Sequence, residues 1–268
     1  MNWQGLLVSV RDAAEAAEAV EGGADIIDVK EPRQGSLGRA EPAAAVAVAR
    51  VVAARRPWTM ACGELGGRSG GEASGQAGSE VGSEAAATGG AAISRHLDRV
   101  WSLLVGGALP PAAVKIGLAG AAGTDWRRRL LTIFESLPFD SERVAVAYAD
   151  WALARAPSPG EVIAAAAGLG CSTLLIDTFD KSAGGLFDCC QPGLPAAWVA
   201  AARAAGLQVA VAGRISQEGI PAAWSLRPDV VALRSAVCFN GRDGRVQAEL
   251  VRRAMLQSVG RIHAASVG

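Results

Sequence analysis

Lysine is scarce in this chain. Of 26 basic residues only Lys30, Lys115 and Lys181 are lysines; the rest are arginines. Arginine serves wherever a fixed positive charge is wanted, but it stays protonated. It cannot replace an amine that must shed its proton and attack a carbonyl. Three lysines kept in so arginine-rich a chain are candidates for chemistry. Lys30 stands in Ala24-Asp25-Ile26-Ile27-Asp28-Val29-Lys30-Glu31-Pro32, which reads as a short apolar strand stopped by proline. Alternation puts Ile26, Asp28 and Lys30 on one face, Ile27 and Val29 on the other. Burying an aspartate and a lysine together is costly unless they are paired. Such a pair belongs to a structural salt bridge or to an active site.

Clustered cations lower a lysine's pKa, because each positive neighbour penalises a further protonation. A neutral amine adds to an aldehyde or ketone to give an iminium, which stabilises an adjacent carbanion. Asp28 and Asp177, with the other two lysines, would then donate, accept and orient protons. That is chemistry for making or breaking carbon–carbon bonds next to a carbonyl, and it calls for no metal and no cofactor. Each residue also has a plain alternative. Asp28 with Lys30, or Lys115 with a neighbouring carboxylate, could be a structural pair. Lys181 beside Asp180 could be a solvated charge, and Asp177 a helix cap. The convergence of all four favours the functional reading.

The elements that must position these residues alternate along the chain. Strands are expected at 6–10, around Asp28 and Lys30, and at 58–64, 112–117, 143–149, 173–177, 207–212 and 229–234. Helices are expected at 11–22, 41–56, 93–105, 124–137 (with Thr124 as N-cap), 161–169, 195–205, 217–226 and 245–259. Eight strands alternating with helices is the count of a TIM (β/α)8 barrel, an α/β fold, here with 1–268 as one domain. No GxGxxG follows the first strand, which weighs against an open doubly wound sheet. Residues 66–92 are dominated by Gly, Ser, Ala and Glu. They read as a long mobile loop that cannot bury enough surface to order itself.

In such a barrel catalysis sits at the C-terminal ends of the strands. Lys30, Lys115 and Asp177 fall there, and Lys181 lies four residues into the loop after Asp177. Asp150 reaches the same mouth without a specified role. Gly213 and Arg214 follow the seventh strand; Arg234 and Ser235 follow the eighth. Loops at these two places commonly cradle phosphate, the alternative being a glycine for the turn and an arginine on the rim.

The formal net charge is zero, which gives no support for binding nucleic acid or a membrane surface. No apolar run approaches about 18 residues, and the first residues do not form a signal peptide, so a cytoplasmic location is expected. Five cysteines without CxxC spacing and two histidines, His96 and His263, argue against zinc and for reduced thiols. The adjacent pair Cys189-Cys190 carries no further signal. The composition is compatible with a homo-oligomer.

Several stretches together closely resemble the (5-formylfuran-3-yl)methyl phosphate synthases. They are the stretch from Gly23 to Pro32, Gly35-Ser36-Leu37-Gly38, Val114-Lys115-Ile116-Gly117-Leu118, Tyr148-Ala149-Asp150, Leu175-Ile176-Asp177-Thr178 with Lys181, and Val211-Ala212-Gly213. The likeness spans nearly the whole chain and departs at 66–92, where the family has a shorter, more ordered segment. The resemblance implies a TIM-barrel lyase that condenses two molecules of glyceraldehyde 3-phosphate. Its product would be 4-(hydroxymethyl)-2-furancarboxaldehyde phosphate, a furan precursor of methanofuran-type one-carbon carriers, with loss of one phosphate and water. It also implies Lys30 as the Schiff-base lysine, Lys115 as proton acceptor, and Asp28, Asp177 and Lys181 as the rest of the catalytic set. The residues alone leave open a class I aldolase-like enzyme on another sugar phosphate, or a non-catalytic barrel that binds a phosphorylated metabolite.

Overall fold

Short runs rich in Val, Ile, Leu and Ala, each bounded by glycine, proline or polar residues, become parallel strands buried on both faces. In the computed structural model, which describes residues 3–67 and 81–262, they are β1 (Gly5–Val10), β2 (Ile26–Val29), β3 (Trp58–Glu64), β4 (Ala113–Gly117), β5 (Glu142–Tyr148), β6 (Cys171–Asp177), β7 (Gln208–Val211) and β8 (Val230–Leu233). They pair in chain order and β8 closes on β1, giving a parallel eight-stranded barrel. This is the (β/α)8 barrel expected from the sequence, with strand ends within a residue or two of those expected.

The helices are α1 (Ala13–Glu21), α2 (Pro42–Val52), α3 (Val81–Leu104), α4 (Trp126–Glu135), α5 (Trp151–Ala154), α6 (Pro159–Ala166), α7 (Leu194–Ala204), α8 (Ile220–Ser225) and α9 (Ala248–Ile262). Local caps set several starts. Asp12 accepts the backbone N–H of Glu15 at 2.9 Å ahead of α1, and Ser158 forms a reciprocal capping box with Glu161 at α6. Val46, Val48, Val52, Leu97, Val100 and Leu130 bury their helices' inner faces against the outside of the barrel. No helix among the described residues is long and apolar enough to cross a membrane.

Three expectations need correction. The helix expected from residue 93 begins at Val81, so the end of the supposed loop 66–92 is helical, while 68–80 lie outside the described residues. Ala85-Ala86-Ala87 with Glu84 are strong helix formers, and a lack of large apolar residues does not override that propensity. Thr124 is not the cap of α4. Its hydroxyl donates to the Ala121 carbonyl at 2.8 Å, and Asp125 occupies the N-cap position. The short helix α5 was not anticipated.

Candidate active site

Parallel register aligns polar side chains around the inside of the barrel. Ser9 of β1 pairs with Asp28 of β2, and Asp28 with Thr59 of β3. Residues two apart share a face, so Lys30 stands one step above Asp28 towards the C-terminal mouth. Ile26, Asp28, Lys30, Thr59, Lys115 and Asp177 line one cavity in the barrel. The face assignment made for the Asp28 strand therefore holds.

Asp28 is buried and fully engaged. Its Oδ1 accepts from Lys115 Nζ and from Thr59 Oγ1 (2.7 Å), and its Oδ2 from Ser9 Oγ (3.2 Å). Burial pushes its carboxyl up, but Lys115 and Lys30 outweigh that and hold the pKa below the usual value. Asp177, at the end of β6, pairs with Lys181 Nζ at 2.6 Å and accepts from Ser36 Oγ at 2.8 Å. Here too burial acts upward, and Lys181 and Lys30 bring the carboxyl down to about 2. Lys181 also donates to the carbonyl and hydroxyl of Thr178.

Lys30 differs from the other two lysines. It is 9 % exposed, and its Nζ makes no hydrogen bond or ion pair with any described residue. Burial lowers its pKa to about 8, with Lys181 and Arg242 pushing the same way and Asp177 and Asp28 opposing. The cation cluster named from the sequence thus acts, but removal from water is the larger cause. The site holds two neutralised lysine–aspartate pairs flanking one amine that deprotonates easily.

The four residues expected to cradle an anion fall in different surroundings. Arg234 is buried, and all five of its N–H groups are committed: to both carboxylate oxygens of Glu15, and to the carbonyls of Ser9, Arg242 and Gly244. It is a strut between β8, β1 and α1, not a phosphate ligand. Arg214 is exposed on the rim and donates to the Lys181 carbonyl at 2.8 Å. Gly213 has φ 105°, and a Cβ there would lie 3.0 Å from Thr178 Cγ2 and 3.1 Å from Leu186 Cβ. Both the conformation and the close packing require glycine. Ser235 opens a single 3-10 turn at the end of β8. Asp150 acquires a clear part: its two oxygens accept from the backbone N–H of Phe179 (2.7 Å) and Asp180 (2.8 Å), fixing the root of the loop that carries Lys181.

Several site residues were not picked out from the sequence. Ser9, Thr59 and Ser36 complete the shells of the two aspartates. Arg242, half-buried in the loop after β8, donates from Nη2 to the carbonyls of Pro32 and Gly35, both at 2.9 Å. It feels Asp177 and in turn affects Lys30. Glu64 and the chain's single tyrosine, Tyr148, are joined by a 2.6 Å hydrogen bond from the phenol to the carboxyl. For Thr59 the signal was available, since it stands across the sheet from Asp28; for Arg242 there was none.

Fold and site together define a class: a closed (β/α)8 barrel whose C-terminal mouth holds, between two lysine–aspartate pairs, a lysine with no partner among the described residues. Within it, this chain belongs to the 4-HFC-P synthase family, whose model matches residues 6–93 and 107–255. The (5-formylfuran-3-yl)methyl phosphate synthase of Archaeoglobus fulgidus is 33% identical over 257 residues, covering 93% of this chain and 97% of its own. That of Methanocaldococcus jannaschii is 32% identical over 253 residues, covering 92% and 96%. Among solved structures, thiamine phosphate pyrophosphorylase from Pyrococcus furiosus has a TM-score of 0.58 at 11% identity, covering 100% of this chain and 98% of its own. That likeness is one of fold alone.

Proposed function

We propose that this chain joins two molecules of glyceraldehyde 3-phosphate into 4-(hydroxymethyl)-2-furancarboxaldehyde phosphate through an imine on Lys30. By mass balance one phosphate and two waters leave. The observation that carries the reading is the state of Lys30: buried, unpartnered and easily deprotonated, beside an Asp28–Lys115 pair that can take a proton from the adjacent carbon. The imine draws electrons from that carbon, and its deprotonation gives an enamine that attacks the second aldehyde. Lys115 is the proton acceptor once it has passed its own proton to Asp28, the carboxylate its Nζ contacts. Asp28 holds it, and Asp177 with Lys181 orients the second partner.

Trapping with borohydride in the presence of glyceraldehyde 3-phosphate is expected to place a reduced adduct on Lys30. The trapping rate should rise with pH and level off above about 8, because only the neutral amine adds to the carbonyl. An adduct absent from Lys30 ends this reading. Furan absorbance and released phosphate, followed together, distinguish the product from that of an ordinary aldol reaction.

Arg242 takes over the anion-binding role expected of Arg234, alongside the backbone at Gly213 and Ser235. Among the described residues only its Nη2 is engaged, which leaves its other donors for a phosphate oxygen. Arg242→Leu is expected to raise KM for the triose phosphate by about tenfold to a hundredfold, the loss of one or two charge-assisted hydrogen bonds. Steady-state kinetics with unchanged imine trapping at saturating substrate checks it.

A further inference from the structure

The loop 31–38, between β2 and α2, crosses the mouth of the barrel. Its neck is closed by the Glu31 backbone N–H, which donates to the Gly38 carbonyl at 2.9 Å. A Cβ at Gly38 would collide with the Glu31 carbonyl oxygen, so the neck takes glycine alone. From β2 the loop reaches β6, four places round the ring of eight strands and therefore directly opposite. There the Ser36 hydroxyl meets Asp177 Oδ2 at 2.8 Å and the Thr178 carbonyl at 2.9 Å. Arg242 holds the near side through the carbonyls of Pro32 and Gly35. The loop is a roof fixed on both sides, and Lys30 beneath it is 9 % exposed.

One side chain of this roof points into the barrel. Leu37 is 2 % exposed and lines the cavity together with Lys30, Asp177 and Ala212. Those three belong to strand ends: Lys30 follows β2, Asp177 ends β6 and Ala212 follows β7. Leu37 alone of the four comes from a loop, and it is the one large apolar group among them. Its carbonyl accepts the Gly63 backbone N–H at 2.9 Å, which ties it to β3. Arg242, to which the reading above gives the substrate phosphate, holds the same loop. The reacting amine, the arginine for the phosphate and the leucine side chain are thus fixed relative to one another by one short stretch of chain.

We propose that Leu37 sets the length of the sugar phosphate that Lys30 accepts, admitting a triose and rejecting its four-carbon homologue. The inference rests on the imine reading above. With the aldehyde carbon on Lys30 and the phosphate on Arg242, the rest of a triose bridges a span of fixed length. An aldose phosphate one carbon longer must bow out of that line, and the wall it meets is the Leu37 side chain. The extra carbon also carries a hydroxyl, which leucine cannot partner, and a polar group buried without a hydrogen bond is costly. Contacts of this kind discriminate between homologues by about 10–200-fold.

The test compares two sugars on the full-length chain by borohydride trapping, glyceraldehyde 3-phosphate against erythrose 4-phosphate. In each case the aldehyde oxygen leaves as water when the C=N bond forms, and hydride reduces that bond to a secondary amine. The mass of the adduct therefore identifies the sugar on Lys30. Each rate is taken relative to that of a free lysine derivative with the same sugar, which removes differences in aldehyde reactivity. In the wild type the triose is expected to be trapped about 10–200-fold faster than the tetrose. In Leu37→Ala that ratio should fall by about tenfold as the tetrose gains room, and in Leu37→Val by about threefold. A merely structural leucine would change both rates alike and leave the ratio where it was. Equal trapping of the two sugars by the wild type overturns the proposal. So does an unchanged ratio in Leu37→Ala, or in Leu37→Val if the alanine variant does not fold. No Lys30 adduct with either sugar in the wild type overturns the imine reading and this proposal together.

Discussion

Lys30→Arg is expected to abolish turnover, with a fall in kcat on the order of ten-thousandfold or more, as for removal of other covalent nucleophiles. The physical reason is the proton, not the charge. Lys30 sits at a pKa of about 8 because it is buried, whereas a guanidinium in the same place stays cationic. Arginine is also larger, so Lys30→Met is the companion variant; it removes the amine and a charge that is costly to bury. Both should retain the far-ultraviolet dichroism of the barrel and lose the borohydride adduct. Substantial turnover in either variant would show that the amine is not the nucleophile.

The second large effect is on stability and falls on Arg234. Its guanidinium and that of Arg11 share the buried carboxylate of Glu15. Arg234→Met would leave that carboxylate with Arg11 alone, and breaking a buried pair costs about 3–5 kcal/mol. For a chain of this length that is a drop in Tm on the order of 10 °C. KM for the proposed substrate should change little, because no Arg234 donor is free to reach a ligand. A raised KM with an unchanged Tm would restore the anion-binding role. The sign of the pH dependence is fixed as well. Burial pushes the Glu15 carboxyl up, and the two arginines bring it below its usual 4.5. The stabilisation is therefore fully present above about pH 4.5 and is lost as pH falls through the lower folded value. The gap in Tm between wild type and variant should narrow in acid.

The two arginines also show where sequence reading stops. The placement of Arg234 on the face of Val230 and Ala232 follows from alternation, but its partner Glu15 is 219 residues away. No local pattern announces that pairing. Arg242 lies in a loop, where no periodicity assigns a direction. The five residues of the lysine–aspartate set were legible because each stands within or just beyond a strand whose apolar run and stop signals are strong. The strands themselves were visible throughout. The start of α3 was not, because alanine and glycine without large apolar residues read equally as helix or as loop.

The whereabouts of the three lysines has a practical consequence. Lys30 and Lys115 are buried, and the Lys181 side chain is only 13% exposed. Since the chain has no other lysine, its outer surface offers amine-selective reagents no side chain. Acylating dyes, formaldehyde with a reductant, or resins that couple through lysine would meet only the α-amino group until they enter the mouth. Labelling of the folded protein therefore becomes a measure of occupancy: a bound phosphorylated sugar should slow side-chain modification and leave the terminal amine untouched. An endoproteinase that cuts after lysine should likewise spare the native chain and cleave it only once the barrel has opened.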